Sequence, residues 1–349
     1  MMTPTRVLVA EDSPFVCRLL ATYLEQAGGF QVVGTALTGS DAIQKYKDLT
    51  PDVVALDLMM PDADGVAVLR EMMSVRRVPV VVITGASGMD TVLTLRAMEA
   101  GATDFVMKFD PASARSPEVV REEIVSKMRQ AAHKAAAPRL VAPVAVPPVR
   151  VPDVLLPAVA VIGASTGGPR ALRELLATLP DSFPGAVVVV QHVPAAFSAR
   201  LAADLSRFCR LPVAELREDE RLRPGTVRVA PGGTHLILEA QRRVSFRPFN
   251  GEANCPSIDL AMESAAAVYG PAAIGVLLTG MGADGAHGLG VIRERGGKTM
   301  AQDPATCVVA GMPGAAIARG VAEFIGAPTV LGNRLVKLVP VTNGVAHVC

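Results

Sequence analysis

The sequence predicts two α/β domains in tandem, each built on a parallel sheet, and three observations lead to it. Short β-branched runs alternate with amphipathic helical stretches from residue 6 to about residue 132, the pattern of βαβ units. The same alternation resumes at residue 158. Between the two, composition changes. Residues 131–157 carry Pro138, Pro143, Pro147, Pro148, Pro152 and Pro157 among Ala and Val, which favours extended polyproline conformation over packing. The expected boundaries are therefore 1–132 for the first domain, 133–157 for a linker and 158–349 for the second domain. The alternative is an irregular loop within one large domain, but structureless loops of that length are uncommon in compact folds. A chain of 349 residues suits two cores of ordinary size.

Taken in order, the first domain's strands are expected at 6–10, 31–35, 53–57, 79–83 and 104–107. Helices fill the gaps, such as 39–49 with Ala42, Ile43 and Tyr46 on one face, and 90–100 with Leu93, Leu95 and Met98. Five such strands suit a doubly wound parallel sheet, in which ligands bind at the carboxyl ends of the strands where strand order reverses. In the second domain, 158–163 is strand-like and runs into Ser165-Thr166-Gly167-Gly168-Pro169. A helix follows with Leu172, Leu175, Leu176 and Leu179 on its apolar face. Segments 186–191 and 273–279 are continuously apolar, as buried central strands are. Between them, 226–230, 235–239 and 243–247 are separated by Pro231-Gly232-Gly233 and by polar residues, so a small antiparallel meander of three strands is expected.

Composition narrows the function classes. Half of the residues are hydrophobic and 19% are charged, which excludes a largely disordered chain. With 34 basic and 33 acidic residues the net charge is +1, so nothing points to nucleic acid or an anionic membrane. Cys17, Cys209, Cys255, Cys307 and Cys349 show neither Cys-x-x-Cys nor zinc-like spacing, which argues against a disulfide framework. The first residues carry no signal-peptide pattern, and apolar runs such as 186–190 and 274–278 fall far short of the ~20 residues a membrane span needs. The expectation is a soluble, cytoplasmic chain without membrane insertion.

Three carboxylates fall at predicted strand ends: Glu11 and Asp12 after the first strand, Asp57 after the third. On one edge of a parallel sheet they would converge and repel one another unless a hard cation joined them. Magnesium fits, because it takes oxygen ligands and is usually completed by phosphate. Thr84 and Lys108 end the fourth and fifth strands, placing a hydroxyl and an ammonium where they could bind phosphoryl oxygens. Singly, each acid could as well be a helix N-cap or turn residue. The whole set, with the turn Pro61-x-x-x-Gly65, resembles two-component response-regulator receivers over about residues 6–132. That resemblance implies a flavodoxin-like five-stranded sheet and a Mg²⁺ site at Glu11, Asp12 and Asp57. It also implies that Asp57 takes a phosphoryl group from a partner histidine kinase, and that Thr84 and Phe105 shift when it does. One position departs: Phe109 stands where the family usually has Pro after the lysine, so a cis bond is not expected there.

Ser165 sits where an apolar strand turns into a helix, flanked by Gly163, Gly167 and Gly168. Small neighbours admit a substrate carbonyl, and a helix N-terminus offers unpaired N–H groups to an oxyanion. A serine hydroxyl needs a base, and the base an orienting acid. His192 follows segment 186–191, and Asp284 lies in the turn Gly280-Met281-Gly282-Ala283-Asp284-Gly285, so three strand ends supply hydroxyl, imidazole and carboxylate. Gly163-x-Ser165-x-Gly167 matches the G-x-S-x-G elbow, but α/β-hydrolases order their triad Ser, acid, His. Beyond Asp284 stand only His287, too close, and His347, in the tail. The loop fits neither the G-x-G-x-x-G dinucleotide pattern nor a P-loop. Each residue alone could be structural: a serine in a Gly-rich turn, a satisfied histidine, a turn-stabilising aspartate. His235 reads as part of the meander, and His133 as an exposed linker residue.

Gly163-Ala-Ser165-Thr-Gly167-Gly168, Gln191-His192-Val-Pro194, Pro256-Ser257-Ile-Asp259 and Gly280-Met281-Gly282-x-Asp284-Gly285 together resemble the catalytic domain of the chemotaxis protein-glutamate methylesterases, the CheB family, over about residues 159–325. The resemblance implies hydrolysis of methyl glutamate esters on chemoreceptors with release of methanol, often deamidation of receptor glutamines, and no cofactor for the esterase. By position, Ser165 would be the nucleophile, His192 the base and Asp284 its orienter. The Thr166 side chain and the Met281 backbone N–H would be oxyanion donors. Two other readings stay open: a receiver-gated esterase or amidase on a non-receptor substrate, and a phosphorylation-dependent binding module with an inactive hydrolase fold.

Overall fold

The computed structural model describes residues 3–85, 88–109, 116–134, 158–249 and 254–339. The expected linker from 135 onward, His347 and Cys349 lie outside the described residues, as does the side chain of His133. The chain divides into two compact units, Met1–Pro138 and Arg139–Cys349.

The first unit runs β1 (Thr5–Ala10), α1 (Pro14–Gln26), β2 (Phe30–Ala36), α2 (Gly39–Leu49), β3 (Val53–Asp57), β4 (Met59–Met60), β5 (Ala63–Asp64), α3 (Gly65–Val75), β6 (Val80–Thr84), α4 (Gly88–Ala100), β7 (Asp104–Met107) and α5 (Pro117–Lys134). Its five-stranded sheet has the order β2-β1-β3-β6-β7 with every pair parallel. The order reverses between β1 and β3, which makes their carboxyl ends the natural binding crevice. Helices start where side chains can accept orphan N–H groups: Ser13 from Val16, Thr38 from Asp41, Asp64 from Val66. Gly65 closes the turn after β3 because a Cβ there would lie 2.4 Å from the Leu58 Cα.

The second unit runs β8 (Val159–Ala164), α6 (Gly168–Leu176), β9 (Ala186–Gln191), α7 (Ala195–Leu205), β10 (Val213–Glu215), β11 (Thr226–Val229), β12 (Thr234–Leu238), β13 (Val244–Pro248), α8 (Ile258–Tyr269), β14 (Ala273–Leu277), α9 (Ala286–Glu294), β15 (Lys298–Gln302), α10 (Gly311–Ala318), β16 (Phe324–Gly326) and α11 (Pro328–Leu338). A parallel seven-stranded sheet carries the order β10-β11-β9-β8-β14-β15-β16. One face is covered by α6, α7 and α11 through Leu172, Leu175, Leu176, Leu201 and Leu335. The other is covered by α8, α9, α10 and the β12–β13 hairpin through Leu236, Met262, Leu289 and Met312. Truncating one of these buried leucines to alanine would cost about 2–5 kcal/mol.

The expected three-strand meander is corrected. Of its three segments β12 and β13 pair antiparallel with each other, while β11 lies parallel to β9 in the main sheet. The cause is that β11 is buried at alternate residues, Val227 and Val229, so it carries the period-2 pattern of a half-exposed antiparallel strand. Strands β10, β15 and β16 went unanticipated. Two are three-residue edges, and β15, next to the edge strand β16, buries Thr299 and Gln302 with hydrogen bonds to Val321 and Thr279, hiding its place in the sheet behind a polar sequence.

Candidate active site and phosphoacceptor site

At the β1/β3 edge, carboxylate oxygens of Glu11, Asp12 and Asp57 lie within 4.8 Å of one another. Glu11 and Asp57 are buried and Asp12 is exposed. The Lys108 ammonium reaches between them, 2.7 Å from Asp57 Oδ2 and 2.9 Å from Glu11 Oε2. The two ends of this cluster respond unequally. Burial pushes Glu11 up to about 7 in spite of Lys108, whereas burial pulls Lys108 down and the two carboxylates more than offset it, holding it above the ordinary lysine value. Lys108 thus leaves the burial of Glu11 uncompensated. A donor set made only of carboxylate oxygens, open on the Asp12 side, fits a hard divalent ion such as Mg²⁺.

Thr84 ends β6 beside the register pair Asp57–Ile83, and its hydroxyl accepts from Thr94 at 2.9 Å. Phe105 is buried on β7, paired with Val82. Lys127 of α5 donates to its carbonyl at 2.7 Å and lies 5.3 Å over its ring, a contact sequence reasoning missed because Lys127 sits in an unremarkable charged helix. Phe109 is 45% exposed, so it leaves Lys108 on Asp57. Among the described residues the cis peptide bond is Cys255–Pro256, not Lys108–Phe109.

In the second unit Ala164 and Gln191 are register partners on β8 and β9, and Ser165 and His192 are the residues that follow them. Neighbouring strands run ~4.8 Å apart, so the main chains of the two residues leave the sheet at adjacent strand ends. The His192 N–H donates to Ala164 O and the Ser165 N–H to Thr279 O, both at 3.0 Å. Asp284, from the loop after β14, meets His192 Nε2 through Oδ2 at 2.7 Å. Its carboxylate also accepts N–H groups of Ile258 at 2.9 Å and Asp259 at 3.0 Å, and the Ser257 hydroxyl at 3.4 Å. The amino end of α8 is therefore aimed at this acid. Burial would raise Asp284, but His192 and these backbone donors outweigh it and hold the carboxyl below its ordinary value.

Around Ser165 the glycines answer to close approach. Gly167 has φ +76°, and Gly168 N–H donates to Ser165 O at 2.8 Å. A Cβ on Gly280 would fall 2.7 Å from Ser165 Cβ and 2.2 Å from Met312 Sδ, so the loop carrying Met281 can sit against the serine only with glycine there. Buried Thr166 has its carbonyl in reach of the Thr279 hydroxyl at 2.9 Å, and Gln302 accepts the Thr279 N–H at 2.8 Å. Sequence reasoning assigned no role to Thr279, Gln302 or Ser257. For Ser257 a signal existed, since Pro-Ser before an apolar helix is an N-cap pattern. His235, placed in the hairpin as expected, is buried, and its Nδ1 accepts the Ser257 N–H at 3.1 Å.

This arrangement can be set beside known proteins. The CheB methylesterase family profile matches residues 160–335, and that of the response regulator receiver domain matches residues 7–114. The chain belongs to the CheB methylesterase family. Its match to that family begins in β8 and ends in α11, so it takes in the whole seven-stranded sheet. A protein-glutamate methylesterase/protein-glutamine glutaminase of Symbiobacterium thermophilum is 39% identical over 92% of this chain and 93% of that protein. One of Caldanaerobacter subterraneus subsp. tengcongensis is 38% identical over 97% and 98%. The crystal structure of the Thermotoga maritima CheB methylesterase catalytic domain is matched at TM-score 0.51 and 39% identity, covering 53% of this chain and 100% of that one. No described helix is long and apolar enough to cross a membrane.

Proposed function

We propose that this chain is a phosphorylation-activated serine esterase that demethylates glutamate methyl esters on chemoreceptors, releasing methanol, and also deamidates receptor glutamines. The observation that carries this reading is the 2.7 Å contact between His192 Nε2 and Asp284 on the strand edge that also bears Ser165. With Nε2 turned to the acid, Nδ1 is the nitrogen that takes the Ser165 proton as Oγ attacks the ester carbonyl. The oxyanion is met by the Met281 N–H and the Thr166 side chain. Collapse breaks the ester bond, and the leaving methoxide takes the proton from His192 and departs as methanol. Water then gives a proton to the same imidazole as it attacks the acyl-enzyme, and the released glutamate leaves Ser165 protonated again. With a glutamine substrate the same steps release ammonia. No cofactor is assigned to this chemistry.

In the receiver, Asp57 is proposed as phosphoacceptor from a chemotaxis histidine kinase, with Glu11, Asp12 and Asp57 holding Mg²⁺. The ion would offset negative charge between carboxylate and phosphoryl oxygens, while Lys108 supplies the second cation and Thr84 and Phe105 answer the phosphoryl group. The proposed domain limits are 1–132 and 158–349 with a linker between them, the unphosphorylated receiver restraining the esterase and the whole acting in the cytoplasm. The deciding experiment is methanol release from methylated receptor membranes with and without acetyl phosphate. Stimulated release that disappears in Ser165→Ala supports the reading. Release from other esters but not from receptors would favour a non-receptor substrate, and absence of both turnover and fluorophosphonate labelling would mean an inactive fold.

A further inference from the structure

Gln191 closes β9 immediately before His192, and its side chain is buried, 3% exposed. A carboxamide nitrogen has two hydrogens to give. Here it donates to two main-chain carbonyls, Ser165 O at 2.8 Å and His192 O at 3.3 Å. Those carbonyls belong to the two residues between which the catalytic proton is proposed to pass, so this inference rests on that reading of the site. The other end of the amide behaves differently. Gln191 Oε1 is buried without a hydrogen-bond partner, wedged so closely against the start of α6 that a Cβ on Gly168 would come within 1.9 Å of it. A buried acceptor without a donor is destabilising, which subtracts from whatever the two donated bonds add to stability. An apolar side chain of similar length would fill the space without that defect. It would, however, leave the two carbonyls unlinked.

We infer that Gln191 is a positioning residue for the hydrolysis: its amide ties the main chain of the nucleophile to that of the base and fixes their separation. Three other backbone bonds complete the frame, Ser165 N–H to Thr279 O, His192 N–H to Ala164 O and Gly168 N–H to Ser165 O. These orient each residue against its neighbouring strand or helix. Among the described residues, the Gln191 amide is the group that joins the two directly. Displacements near 1 Å between reacting groups are enough to lower turnover by about 100-fold, so the side chain acts on kcat rather than on substrate affinity.

The test uses the full-length chain with acetyl phosphate, methylated receptor membranes and two variants. Gln191→Met keeps the length without donors, and Gln191→Glu keeps the shape while turning an oxygen toward both carbonyls. In both, kcat for methanol release is expected to fall about 10- to 100-fold with KM within about twofold of the parent. Fluorophosphonate labelling of Ser165 should slow in the same proportion. The melting temperature of Gln191→Met should stay close to the parent's, because relief of the orphaned oxygen offsets the two donated bonds that are lost. A folded Gln191→Met with parental kcat, or with its whole loss in KM, overturns the inference. If instead Ser165→Ala retains turnover, the hydrolase reading itself fails, an outcome separate from any result with Gln191.

Discussion

His192 presents Nε2, not Nδ1, to Asp284, at 2.7 Å, the reverse of the imidazole orientation in the chymotrypsin-type triad. The acid at the far side is fixed by the amino end of α8, whose first N–H groups it accepts. Orientation of the His192 ring is therefore inherited from a helix on the opposite face of the sheet from α6.

Replacing the acid while keeping its shape tests this directly. Asp284→Asn should lower methanol release by about 10³- to 10⁴-fold, because an amide cannot offset the imidazolium charge, while circular dichroism stays parental. Turnover within tenfold of the parent would remove Asp284 from the mechanism.

The same residue sets a pH signature. Asp284 is held below its ordinary carboxyl value in the folded chain, so its contribution to stability is fully present above the unfolded value of about 4 and is lost as pH falls through the lower folded value. The melting-temperature gap between the parent and Asp284→Asn should shrink as pH falls below about 4. A gap that widens as pH falls through that lower range would contradict the sign.

Ser257 both caps α8 through Leu260 N–H at 3.3 Å and reaches Asp284. Ser257→Ala is expected to cost about 0.5–2 kcal/mol in urea unfolding and to reduce methanol release as well. Lost stability with unchanged release at a temperature well below unfolding would confine the serine to capping.

Gly280→Ala would drive a methyl group into Ser165 and Met312. Fluorophosphonate labelling of Ser165 should fall at least tenfold, in line with the sensitivity of catalysis to displacement. Labelling at the parental rate would show that the loop relaxes without disturbing the serine.

For the receiver, Asp57→Asn should bring the ratio of methanol release with and without acetyl phosphate to about one, without lowering the unstimulated rate. A ratio that persists in this variant would place the phosphoacceptor elsewhere.

Much of this was readable before any coordinates because parallel sheets put chemistry at strand ends, and strand ends can be found from where apolar runs stop. Glu11, Asp57, Ser165 and His192 each stand one step from such a stop, and the structure places them on the expected edges. What stayed hidden depends on pairing. Nothing local distinguishes β11, which joins β9 in parallel, from a hairpin strand. Likewise the buried polar residues Gln191, Thr279 and Gln302 acquire meaning only through carbonyls and amides brought beside them by other strands.

The cradle of Asp284 has a consequence for how such a chain would fail. Ser165 and His192 follow the adjacent central strands β8 and β9, but the Asp284 carboxylate depends on a helix end that is itself propped by His235 from the hairpin. Ile258, Met262 and Ala265 of that helix are themselves fully buried in the core of this face, so the acid is released only when the core opens. Loss of turnover on heating or in denaturant would then coincide with bulk melting rather than precede it.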